Sequence, residues 1–155
     1  MNEYMKIALD EGLSGIISGT GGPFGAVIER DGEVIARAHN RVLETQDPTM
    51  HAEIAAIRAA CETLGRFSLH DCVIYSTCQP CPMCLGAIIW AKIPKLYYGC
   101  INSDAARIGF DDEFIYNALR GDLSDIDGFS AENIDRGECL KLFGKWTEMP
   151  DREMY

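Results

Sequence analysis

The sequence predicts an α/β chain with a mixed sheet and helices packed on it. Three observations carry this. The apolar pattern switches between helical and strand spacing in the order α-β-β-α-β-α-β. Asp31-Gly32 sits between two short apolar runs, a strong hairpin signal. Two segments, at Asp47-Pro48-Thr49 and Cys81-Pro82, place a side-chain cap or a proline where a helix would begin. At 155 residues the chain has the size of one domain with one sizeable core.

The elements follow in order. Met5, Ile7, Ala8, Leu9, Leu13, Ile16 and Ile17 give a helix over Glu3 to Ser18, broken by Gly19-Thr20-Gly21-Gly22-Pro23. Phe24 to Ile28 and Val34 to Ala38 read as the two strands of the hairpin. Asp47 as N-cap and Pro48 as first helical residue start a helix that runs through Ala60 and stops near Gly65. Cys72 to Ser76 is a buried strand, Pro82 starts a helix from Met83 to Ala91, and Leu96 to Gly99 is a fourth strand. Beyond Gly99 the pattern weakens to a helix over Phe110 to Leu119, a loop over Gly121 to Gly128 and a helix over Gly137 to Trp146.

Composition narrows the function classes. Hydrophobic residues make up 47% and charged residues 25%, ordinary values for a globular chain. No apolar run approaches the roughly 20 residues that span a bilayer. Met1 to Lys6 lacks a basic region followed by an apolar block, which argues against a secretory signal and for the cytoplasm. The net charge is −10 and no run of Lys or Arg offers a stripe for phosphates, which argues against nucleic acid as partner.

Seven cysteines are an odd number, and Cys78, Cys81 and Cys84 crowd together. In a reducing compartment such a cluster reads as metal-binding or catalytic. Cys61, Cys72, Cys100 and Cys139 stand apart and are expected to be small buried apolar residues. His51-Ala52-Glu53 followed by Pro80-Cys81-Pro82-Met83-Cys84 is the signature of zinc-dependent deaminases. One imidazole and two thiolates supply the three protein ligands of a catalytic zinc and leave one position for water. The ligand segments fall at predicted helix starts, where the positive dipole end favours thiolates. Glu53, two residues from His51, is then general base and later general acid. Other readings use the same residues. Cys78, Cys81, Cys84 and His51 together form a closed structural site; Cys78-x-x-Cys81 alone is a redox pair; Glu53 alone is a helix-start carboxylate.

Gly22-Pro23-Phe24-Gly25-Ala26-Val27, Asn40, Asp47-Pro48-Thr49, His51-Ala52-Glu53 and Pro80 through Ala87 resemble the cytidine deaminase-like superfamily, closest to the small bacterial guanine deaminases. Ile88-Ile89-Trp90-Ala91 and the stretch Gly109 to Tyr116 favour these over the related tRNA adenosine deaminases. The resemblance implies a three-layer α/β/α sandwich with a central mixed sheet, one zinc ion per subunit and hydrolytic deamination of a free purine, guanine to xanthine and ammonia. The alternatives are the same chemistry on cytosine or on adenosine in tRNA, and a zinc-stabilised binding protein without catalysis. It implies that Asn40 hydrogen-bonds the base with both ends of its amide, that Phe24 and Trp90 line the pocket, and that the Ala52 N–H meets the ring. It further implies a homodimer whose C-terminal segment, from about residue 121, is exchanged between subunits, with Asp112 and Tyr155 reading the edge of the base. Plain alternatives stand beside these. Asn40 can be a turn residue, Phe24 and Trp90 core, Asp111 or Asp112 a helix cap, and Tyr155 a frayed end. His39 and His70 lack ligand-spaced partners.

Overall fold

The structure is a computed structural model that describes residues 1–121 and 126–154. The chain forms two compact units, Met1–Glu113 and Phe114–Tyr155.

The first unit is built on a four-stranded sheet in the order β2-β1-β3-β4, with β1 over Gly25–Arg30, β2 over Glu33–His39, β3 over Val73–Cys78 and β4 over Lys95–Cys100. β1 runs antiparallel to β2 and β3, whereas β3 and β4 are parallel. A parallel neighbour needs a crossover, and the helix α4, Pro82–Trp90, is that crossover. The hairpin turn is the predicted one: Arg30 pairs with Glu33, and both residues between them, Asp31 and Gly32, have positive φ.

Alternation along β1 and β3 sorts side chains onto two faces. Ala26, Ile28 and Ile74 pack with Ala52, Ala56 and Ala60 of α3, Ala52–Leu64, and with Ile88 of α4. Val27 and Tyr75 pack on the opposite side with Ala8, Tyr4 and Met5 of α1, Glu3–Ser18. A sheet covered on both faces explains why β1 opens on the unbroken run Gly25-Ala26-Val27-Ile28, all buried. This is the expected three-layer α/β/α sandwich with a mixed sheet.

Three expectations need correction. Asp47 does not cap a helix: its Oδ1 accepts from Thr49 N at 2.8 Å and Thr49 Oγ1 at 2.7 Å, closing a turn, and α3 begins later with His51 as N-cap. A short helix α2, Val42–Thr45, precedes that turn. The helix expected over Phe110 to Leu119 is α6, Glu113–Arg120, because Asp111 Oδ1 takes Glu113 N at 3.0 Å; the sequence reading had missed α5, Asn102–Arg107. Of the four isolated cysteines only Cys72 is buried; Cys61 is half-buried, and Cys100 on the edge strand and Cys139 on α7 are exposed.

In the second unit α7, Arg136–Glu148, brackets the expected Gly137 to Trp146. It buries none of its residues, and Leu142 and Phe143 are 67% and 66% exposed. Among the described residues no helix is long and apolar enough to cross a membrane.

The layers approach closely at Gly25. A Cβ there would overlap the Ala8 carbonyl oxygen and stand 2.7 Å from Gly12 N. Gly25→Ala must push α1 off the sheet, and overpacking of this kind costs about 1–3 kcal/mol. Thermal melting should show a lowered Tm; an unchanged Tm would contradict this account of the α1 interface.

Candidate metal centre and active site

Two helix starts meet on one face of the sheet. His51 is the N-cap of α3 and Cys81 the N-cap of α4, both in extended backbone, with Pro82 at the first helical position after Cys81. Cys84 follows one turn inside α4 and is fully buried. His51 Nδ1 lies 3.6 Å from Cys81 Sγ and 3.5 Å from Cys84 Sγ, and the three ligand atoms all fall within 4.8 Å of one another. Zinc bonds of about 2.3 Å to sulfur and 2.0–2.1 Å to nitrogen at tetrahedral angles put each nitrogen–sulfur pair about 3.6 Å apart. The residues therefore fit a zinc ion with three protein ligands. Cys78 stays out of the group: its Sγ faces the Ile101 carbonyl at 3.9 Å, and burial pushes its thiol up to about 11. Among the described residues this removes the ligand that the closed structural site requires.

The two thiols share one negative charge. The Cys84 hydrogen bond, together with His51, holds Cys81 down at about 4. Its partner Cys84 is pushed up, first by that same hydrogen bond and then by burial and the Glu53 charge. His51 is raised by its hydrogen bond with Cys81. A dication is what allows both sulfurs to ionise at neutral pH.

Glu53, in the first turn of α3, is 6% exposed. Its Oε1 accepts from Ser76 Oγ at 3.0 Å, and it also hydrogen-bonds the Cys84 thiol. Burial raises its carboxyl above the usual range. A carboxyl so raised, beside a metal cluster, suits proton transfer near neutral pH.

The other expected residues divide. Asn40 is 5% exposed directly after β2, and the following Arg41 N donates to Met50 O at 3.0 Å, next to the ligand His51. Its Oδ1 accepts from Gly22 N at 3.3 Å and Val42 N at 3.2 Å, so the backbone has taken the acceptor end of the amide that was expected to meet the base. Phe24 packs edge-on against Phe110 with centroids 5.1 Å apart. The Ala52 N–H is one of the first-turn donors that a helix leaves without an internal partner. Asp111 caps α6, whereas Asp112 is coupled to the charges of Cys81 and His51, with burial and then Cys81 raising its carboxyl. Trp90, at the far end of α4, is 68% exposed and about 9 Å of helix beyond Cys84. Tyr155 lies outside the described residues. His39 contacts Glu11 at 3.1 Å and His70 contacts Ser68 at 3.2 Å, as non-ligand histidines.

Sequence reasoning missed Ser76 and Phe110. Ser76 had a signal: Ser76 and Thr77 are two hydroxyls in a buried strand, and each has a fixed task. Ser76 holds Glu53, and Thr77 Oγ1 accepts from Gly25 N at 3.1 Å. Phe110 had none, because its contact with Phe24 joins residues far apart in the chain. A groove of about 420 Å³ between α1, β2 and α3 is lined by none of His51, Cys81 and Cys84, and its charges are paired, Arg37 with Glu11 at 3.2 Å and Arg41 with Glu44 at 2.6 Å.

A family model described as the cytidine and deoxycytidylate deaminase zinc-binding region matches residues 1–100. The chain is 50% identical over 116 residues to a guanine deaminase of Bacillus subtilis, covering 75% of this chain and 74% of the relative. It is 54% identical over 129 residues to a tRNA-specific adenosine deaminase of Agrobacterium fabrum, covering 83% and 84%. A crystal structure of a Bacillus subtilis guanine deaminase superposes with a TM-score of 0.93 at 41% identity, over 100% of this chain and 99% of that one.

Metal analysis of the purified chain should find one zinc per chain. Cys84→Ser should lower occupancy and Cys78→Ser should not; the reverse result would overturn the ligand set. Binding must expel the Cys84 proton, so affinity should fall as pH falls, by about tenfold per unit for each proton displaced. Dye competition across pH 6 to 8 measures this, and a flat profile would contradict it.

Proposed function

The chain belongs to the cytidine and deoxycytidylate deaminase zinc-binding family, and from that premise we propose that it hydrolytically deaminates a free nucleobase, guanine to xanthine and ammonia. The observation that carries the chemistry is Glu53, buried and held by Ser76 beside the His51, Cys81 and Cys84 cluster. A zinc ion held by His51, Cys81 and Cys84 would supply the Lewis acidity that makes water a nucleophile near neutral pH. Glu53 takes one proton of the attacking water and gives it to the ring nitrogen, then takes the second from the newly added hydroxyl and gives it to the amine, which departs as ammonia. A carbon–oxygen bond forms and the exocyclic carbon–nitrogen bond breaks at the same carbon. Ser76 fixes the rotation of the carboxyl, so the same group can take and return a proton without turning.

Two observations favour guanine. The superposition on a guanine deaminase takes in all of this chain, including the second unit. The net charge of −10 suits an uncharged base that needs no phosphate contacts. The 54% identity to a tRNA-specific adenosine deaminase supports a second reading, the same chemistry on adenosine in tRNA. Asn40, Phe24, Trp90, Asp112 and the Ala52 N–H surround the base in our reading, and Tyr155 completes it through the exchanged C-terminal segment.

The chain works as a single deaminase domain and a cytoplasmic homodimer, with the segment from about residue 121 exchanged between subunits. Support comes from uncovered apolar surface: Ile89 and Trp90 on α4 are 66% and 68% exposed, and α7 buries nothing. A helix of 13 residues is marginal in water unless another surface covers it.

Ammonia release from guanine, cytosine, adenine and unmodified tRNA tests the substrate; no turnover of guanine beside turnover of another would remove it. Glu53→Gln should keep its zinc and lose about 10²- to 10⁴-fold in kcat, and unimpaired turnover would defeat the role of Glu53. Sedimentation should give two chains per particle, and Ile89→Asp should shift this towards one. A fully active wild-type monomer would end the dimer reading.

A further inference from the structure

Asn40 has its carboxamide oxygen bound by two backbone N–H groups, from Gly22 and Val42. Those donors also fix which end of the amide is oxygen, since the flipped form would set an NH₂ against two N–H groups. Among the described residues nothing accepts from Nδ2.

What holds the carboxamide this way is the turn before β1. A Cβ on Gly21 would overlap Asn40 Oδ1 and the Asn40 carbonyl oxygen, and would stand 2.7 Å from the carbonyl carbon. A Cβ on Gly22 would stand 3.0 Å from the Phe24 ring and 3.1 Å from the Phe110 ring. Neither glycine has a positive φ, so the backbone conformation alone does not call for glycine. Closeness does. The Asn40 backbone N–H donates to the Phe24 carbonyl at 3.0 Å, which ties the Asn40 backbone to that of Phe24.

We propose that Gly21 and Gly22 are positioning residues that lock Asn40 as a hydrogen-bond donor only, so that the site selects bases presenting an acceptor, a ring carbonyl or an unprotonated ring nitrogen, opposite it. An amino group in that place would meet Nδ2–H₂ with neither side satisfied, which costs binding. The inference rests on the reading of this pocket as a nucleobase site.

The test is a double-mutant cycle on the zinc-loaded dimer, with wild type, Gly21→Ala, Asn40→Ala and the double variant. Each is assayed on whichever base of the panel the wild type turns over, so a wrong choice of guanine leaves this test standing. Gly21→Ala should raise KM about tenfold or more with kcat within about threefold, and should add no more than about twofold on top of Asn40→Ala. Additive losses would show that Gly21 acts elsewhere and would overturn the proposal.

Asn40→Asp provides the same decision on a chain that keeps the oxygen for Gly22 and Val42. It replaces the donor with a second acceptor, so xanthine binding by calorimetry should weaken at least about tenfold while zinc content is retained. Unchanged binding would overturn the donor-only role. A wild type that turns over no base sinks the functional reading, and the xanthine measurement then decides the geometry of Asn40 alone.

Discussion

Three ligand atoms from two different helices must come within about 4 Å of one another, and the rest of the first unit serves that constraint. The helices meet at their first turns, where unpaired N–H groups and the dipole favour anionic sulfur. Both N-cap ligands, His51 and Cys81, have extended backbone, which carries the side chain out of the helix and toward its counterpart. Packing of Ala52, Ala56 and Ile88 on Ile28 and Ile74 sets the two axes, so a single apolar layer aligns the metal ligands. Small residues matter here. Ala52, Ala56 and Ala60 in the core let α3 lie close to the sheet, which brings Glu53 to the hydroxyl of Ser76.

Most of this was legible in the sequence because it is local. The hairpin turn, the cap at Cys81 and Pro82, and the spacing of His51, Glu53, Cys81 and Cys84 are written in short stretches whose chemistry admits few alternatives. The errors share one cause. Asp47 reads as an N-cap, but its carboxylate is used up by Thr49, and only the folded turn reveals that competition. Asp111 shortens the expected helix in the same way and leaves Phe110 and Asp112 outside it. Contacts such as Phe24 with Phe110 join distant segments and have no periodicity to betray them. The exposed thiols of Cys100 and Cys139 were misread because cysteine is usually buried, and an edge strand and an uncovered helix are tertiary facts.

The second unit differs from the first in how its apolar residues are placed. Its longest described helix keeps its apolar residues in water, while the first unit has a filled core on both sides of its sheet. The two units thus differ in kind: one buries a core of its own, whereas α7 of the other buries none of its residues.

The sheet also divides labour between its faces. The ligands and Glu53 lie on the side of α3 and α4, and α1 on the other side supplies packing and the Glu11 contacts with Arg37 and His39. Substitutions on the solvent-facing side of α1 therefore spend stability without touching the chemistry, until the margin above unfolding runs out. That side is where sequence drift and surface redesign meet the least resistance.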